Sequence, residues 1–111
     1  MAIIHLVLLA FKADAAPEAI ADANAGLLAL KDNCLHATTK TPYIKSVTGG
    51  INNSPEGRNN GLTHGFSLEF GSFEDRAYYL KEDPAHQSLV AKLIPIVEKL
   101  TVFDYETGVF Q

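Results

Sequence analysis

Ile3-Ile4-His5-Leu6-Val7-Leu8-Leu9-Ala10-Phe11 carries apolar side chains at odd and even positions alike. Successive residues of a strand point to opposite faces of a sheet, so Ile3, Val7, Leu9 and Phe11, with His5 among them, form one face. Ile4, Leu6, Leu8 and Ala10 form the other. A strand apolar on both faces needs cover on both. The run lacks a basic preceding segment and is rich in Val, Ile and Leu, so it reads as a buried strand and no cleaved leader is expected.

Working outward, Pro17 stands where a first helical turn accepts proline, and Ile20, Ala23, Leu27, Leu28 and Leu30 follow at near-helical spacing, predicting a helix to Lys31. Gly26 weakens it. The polar stretch Asn33 to Pro42 reads as a loop, with His36 solvated within it. Tyr43 to Ile51 reads as a second strand, and the Asn-, Ser- and Gly-rich segment Asn52 to Gly61 as a flexible connection. Thr63 to Phe70 alternates, with His64, Phe66, Leu68 and Phe70 on one face. Ser72-Phe73-Glu74-Asp75 fits a helix cap opening a short helix through Lys81. Asp83-Pro84 opens another, with apolar positions Leu89, Val90, Leu93, Ile94, Val97 and Leu100, kinked at Pro95. Thr101 to Tyr105 then forms a fourth strand. The order β-α-β-β-α-α-β predicts an α+β fold, one domain over residues 1–111, with a four-stranded sheet covered by helices on one face.

Composition narrows the function. The chain is 47% hydrophobic and 20% charged, with 9 Lys and Arg against 13 Asp and Glu. The basic residues form no cluster and no apolar run is long enough to span a bilayer, so neither nucleic acid nor membrane is an expected partner. A single cysteine, Cys34, fits a reducing compartment, and a cytoplasmic location is expected.

No phosphate-binding loop, dinucleotide fingerprint, HExxH or GxSxG is present, which leaves the four histidines, the pair Tyr78 and Tyr79, and the carboxylates as candidates. By parity His5 shares a face with Val7 and Leu9, His64 with Phe66, and Asp104 with Val102; His86 lies in the first turn of its helix. A helix-covered sheet predicts His5, His64 and His86 at one end of an apolar pocket lined by Val7, Leu9, Phe66 and Val102. Asp104 on a buried face needs a partner, and a histidine N–H is the expected one. The histidine separations carry no zinc-ligand signature, and no metal or cofactor is expected.

Ile4 to Lys12, Ser54-Pro55-Glu56-Gly57, Thr63-His64, Asp83-Pro84-Ala85-His86 and Phe103-Asp104-Tyr105 together resemble the stress-responsive A/B barrel domain family over nearly the whole chain. The resemblance implies a ferredoxin-like dimeric α+β barrel, a homodimer joined through the helix-free sheet faces. That would cover Ile4, Leu6 and Leu8. Plant cyclases of this family close a linear polyketide thioester by aldol condensation, and the likeness assigns catalytic roles to His5, His86 and Asp104. Tyr79 corresponds to their pocket tyrosine with one residue inserted before Pro84, and His64 to a third-strand histidine. Leu62 replaces a common tyrosine, and Ala23, Ala25 and Gly26 stand where the cyclases carry bulky aromatics, so the cyclase substrate is not carried over.

Two functions follow. In the first, a metal-independent lyase or cyclase, His86 oriented by Asp104 takes a proton from a carbonyl ligand while His5 and Tyr79 stabilise the enolate. In the second, a stress-protective dimer only binds a small hydrophobic ligand. A haem or redox barrel with His5, His64 or His86 as axial ligand is a further alternative.

Overall fold

The computed structural model describes residues 2–111 and contains β1 (Ile3–Phe11), α1 (Pro17–Asn33), β2 (Ile44–Ile51), β3 (His64–Phe70), α2 (Phe73–Lys81), α3 (Pro84–Leu93) and β4 (Val97–Glu106). The strands form one sheet in the order β2-β3-β1-β4, every neighbouring pair antiparallel. This is a ferredoxin-like α+β fold. The doubly apolar β1 sits inside the sheet, between β3 and β4.

Register assigns the faces. His5 pairs with Leu68 on one side and Asp104 on the other, Val7 with Phe66 and Val102, and Leu9 with His64 and Leu100. The helices cover this face, and Ile3, Leu9, Leu27, Leu30, Ile44, Leu68, Phe70 and Tyr79 form its core. On the bare face Leu6 pairs with Ser67 and Phe103, and Ile4 with Tyr105; Phe103 is 62% exposed and Tyr105 44%.

Two glycines set close approaches. A Cβ on Gly26 would meet Leu89 Cδ1 at 2.9 Å, so the residue that weakens α1 also lets α3 pack against it. A Cβ on Gly49 would lie 2.3 Å from the Phe66 ring, which covers that strand backbone directly.

The helix expected to continue past Pro95 instead ends at Leu93, and β4 begins at Val97 rather than Thr101. Residues 94–96 form a turn, held by Ile96 N–H donating to Leu93 and Lys12 N–H donating to Ile96. Proline cannot supply the N–H that would continue the helix. The misleading periodicity has a cause in the strand. A bulge opposite Ala10 and Phe11 shifts the register, so Val97 pairs with Phe11 and Leu100 with Leu9 on one face although three residues apart. His36 also departs from expectation: it is half-buried, its ring 6.1 Å from both Tyr43 and Tyr78, in a compact turn closed by a Leu35–Pro42 bridge.

Candidate active site

A cavity of about 510 Å³ opens between α2 and α3 on one side and β1 and β4 on the other. Its walls are apolar: Val7, Leu9, Leu27, Leu89, Leu93, Val97, Leu100 and Val102. His5, Tyr79, His86 and Asp104 supply polar groups to the lining, as does Glu98.

Strand geometry, sheet pairing and helix capping bring in the polar side chains. Strand alternation puts His5 with Val7 and Leu9, and pairing sets Asp104 beside it. His5 Nδ1 lies 2.7 Å from Asp104 Oδ1, and Arg76 Nη1 donates to Oδ2 of the same carboxylate at 3.2 Å. The Arg76 guanidinium also rests over the Phe73 ring, 5.3 Å from its centroid. Helix α2 is capped by Ser72 Oγ, which accepts from Asp75 N–H at 3.1 Å. That helix delivers Tyr79, 2% exposed, into the wall.

His86 enters on the first turn of α3. Its Nδ1 is 2.8 Å from the Tyr79 carbonyl, and the Tyr79 ring stacks on the imidazole at 3.8 Å and 24°. A carbonyl only accepts, so His86 Nδ1 carries the proton and the lone pair of the neutral ring is on Nε2. The same logic applies to His5, whose Nδ1–H is taken by Asp104. Burial, more than any other influence, holds the His86 pKa below its ordinary value, and nearby His5 adds to the lowering, while the Tyr79 carbonyl and Asp83 oppose it. Burial likewise raises the Tyr79 phenol, which stays protonated near neutral pH.

Asp104 therefore holds His5 and not, as expected, His86. Antiparallel pairing makes residues 5 and 104 direct neighbours, whereas the His86 Nδ1 is already engaged by a backbone carbonyl. His64 and Phe66 stand outside the cavity lining, a second correction. Opposite Leu9, His64 is four residues along β1 from the His5 row, roughly 13 Å. It bonds Thr63 Oγ1 at 2.8 Å and packs edge-on against Phe11. The Phe66 ring is spent in the core over Gly49.

The profile of the stress-responsive A/B barrel domain matches residues 3–107. The chain belongs to this family. No curated protein matches it. Among solved structures, the A/B barrel chain is similar to the At3g17210 protein of Arabidopsis thaliana, at 26% identity and TM-score 0.79, covering 98% of each chain. A hydroxynitrile lyase from Passiflora edulis shares the fold at 22% identity and TM-score 0.80, with 99% of this chain and 97% of that one covered. A dimeric ferredoxin-like protein from Jannaschia does so at 22% and 0.76, with 96% and 100% covered.

Arg76 is the site residue that sequence reading of this A/B barrel missed. The available signal was its position three residues before Tyr79, which places both on one side of α2. Among the described residues no group of three or more His, Cys, Asp or Glu could hold a metal ion, and no helix is long and apolar enough to cross a membrane.

Proposed function

We propose that the protein is a proton-transfer enzyme of lyase or cyclase type acting on a small, largely hydrophobic carbonyl compound, with His86 as general base. The observation that carries this reading is the pair of imidazoles on one apolar cavity, each with Nδ1 tied to an acceptor so that Nε2 carries the lone pair of the neutral ring. His86 Nε2 takes a proton from the carbon next to the carbonyl, and the C–H electron pair becomes the enolate double bond. Negative charge moves to the carbonyl oxygen, where the Tyr79 hydroxyl donates a hydrogen bond and the His5 imidazole, held by Asp104, lines the same wall. The enolate carbon then bonds to a second carbonyl carbon of the same ligand, whose C=O pair shifts to oxygen and takes the proton from His86 Nε2, or the enolate expels a β-substituent that leaves with its bonding pair and takes that proton. Burial suits His86 to the base role, because it keeps the ring neutral near pH 7. The Passiflora hydroxynitrile lyase supports the reading as a lyase carried by this fold.

The working unit in this proposal is a homodimer joined through the bare sheet face, where Leu6 and Phe103 pair across β1 and β4 and Phe103 stands 62% exposed. The dimeric Jannaschia relative supports this. Buried, unpaired Cys34 fits a cytoplasmic location.

The test is deuterium exchange at the α-carbon of a panel of β-keto thioesters. Exchange above the buffer rate in wild type, abolished in His86→Ala, weakened in His5→Phe and retained in His64→Ala, supports the base assignment. Buffer-rate exchange throughout, with ligands still bound, would leave the binding-only function.

A further inference from the structure

Asp83 is completely buried. A carboxylate removed from water needs donors on its oxygens, and these come from two parts of the chain. Oδ1 accepts from the backbone N–H of Ala85 at 2.9 Å and of His86 at 3.4 Å, both in the first turn of α3. Oδ2 accepts from the Tyr43 hydroxyl at 2.6 Å, at the entry to β2. Cys34, the fully buried C-cap of α1, lies against the same group: burial first, then the charge and hydrogen bonding of Asp83, push its thiol up to about 12. The Tyr43 phenol is raised by the same influences. Both neighbours remain protonated near neutral pH, and the Tyr43 hydroxyl serves the carboxylate as a neutral donor.

A helix cap by itself does not require this arrangement. Ser72 caps α2 with a hydroxyl, and Ser, Thr or Asn caps as well as Asp. At α3 an acid is buried instead, three residues before His86, with α1, β2 and α3 converging on it.

We propose that Asp83 is a positioning residue for His86, clamping the turn that carries the imidazole and supplying a fixed negative charge behind the pocket wall. The proposal rests on His86 being the base. The other ionisable groups sharing that cavity or its wall are His5 on β1, Tyr79 on α2, and Asp104 and Glu98 on β4; α1 contributes only Leu27. Of the influences on His86, burial and His5 disfavour its protonated form, whereas the Tyr79 carbonyl and Asp83 favour it. Asp83 thereby keeps a buried imidazole basic enough to accept a proton from carbon.

Asp83→Asn removes the charge and retains the cap through its amide oxygen, while its NH₂ replaces the oxygen that accepts from the Tyr43 hydroxyl. The histidine Cε1–H resonances of the full chain are titrated in wild type and variant. The His86 midpoint should fall by roughly 0.5 to 1 pH unit while that of His64 stays put. An unmoved His86 midpoint in a folded variant overturns the proposal. Should the variant not fold, the carboxyl ¹³C resonance of Asp83 in wild type provides the reciprocal measurement. An inflection at the His86 midpoint is expected, and a flat response overturns the coupling. Neither measurement needs turnover, so a protein without exchange activity would defeat the base assignment and leave the Asp83 coupling separately decided. Where exchange is observed, the acid limb of its pH profile should move down with the His86 midpoint.

Discussion

Replacing Asp104 tests the centre of the site most directly, because one carboxylate serves two partners of unequal burial. His5 is 4% exposed and bonded at 2.7 Å. Arg76, bonded at 3.2 Å, has a side chain 26% exposed, and that of Asp104 is 21% exposed. Leaving the buried His5 N–H without an acceptor costs about 1–3 kcal/mol. The half-wet ion pair to Arg76 is screened and adds at most about 1 kcal/mol. Asp104→Ala should therefore cost about 2 kcal/mol and Arg76→Ala under about 1 kcal/mol. Asp104→Asn should fall between them, since its amide oxygen still accepts from His5 while its NH₂ faces the Arg76 donors. Urea unfolding at one fixed protein concentration and pH 7.5 reads these differences; with a slope near 2 kcal/mol per molar, Asp104→Ala moves the midpoint by about 1 M. The His5→Phe, Asp104→Ala double variant should cost less than the two single variants added together. If Arg76→Ala cost as much as Asp104→Ala, or if Asp104→Ala left the midpoint in place, the carboxylate would not be holding His5 and the reasoning would fail.

Three further outcomes are expected from the packing of the fold. His86 has a folded-state pKa below its ordinary 6.5, so the unfolded chain binds the extra proton between the two values. That contribution to stability is complete above about pH 6.5 and is lost as pH falls toward the folded value; His86→Gln should flatten the dependence of the urea midpoint between about pH 7.5 and 5.5, and an unchanged slope would contradict the burial. Gly49→Ala places a methyl 2.3 Å from the Phe66 ring and 2.9 Å from the Gly65 carbonyl oxygen. A loss of about 1–3 kcal/mol is expected in thermal unfolding, whereas wild-type stability would show that Phe66 does not pack over that strand. Leu6→Glu, on the bare face opposite Phe103, should convert a dimer into a monomer by light scattering, and a monomeric wild type would remove the barrel assembly.

Local chemistry along the chain determined most of the architecture. Apolar residues at both parities of Ile3–Phe11 marked a strand inside the sheet, and Ser72 and Asp83 announced their helices because short side-chain acceptors satisfy the first-turn amides. Period-two parity put His5 with Val7 and Leu9, and Asp104 with Val102, on the helix-covered face, since strand geometry is set residue by residue. Pairing across the sheet was different. It joined residues 99 positions apart, gave Asp104 to His5 rather than His86, and carried His64 to another row. A bulge let Val97 and Leu100 imitate helical spacing inside a strand, and only the register against β1 distinguishes the two. Arg76 and the Asp83 cluster likewise depend on long-range packing, because which buried donor meets which carboxylate is decided when α1, β2 and α3 converge, and that convergence is a property of the whole core rather than of any segment.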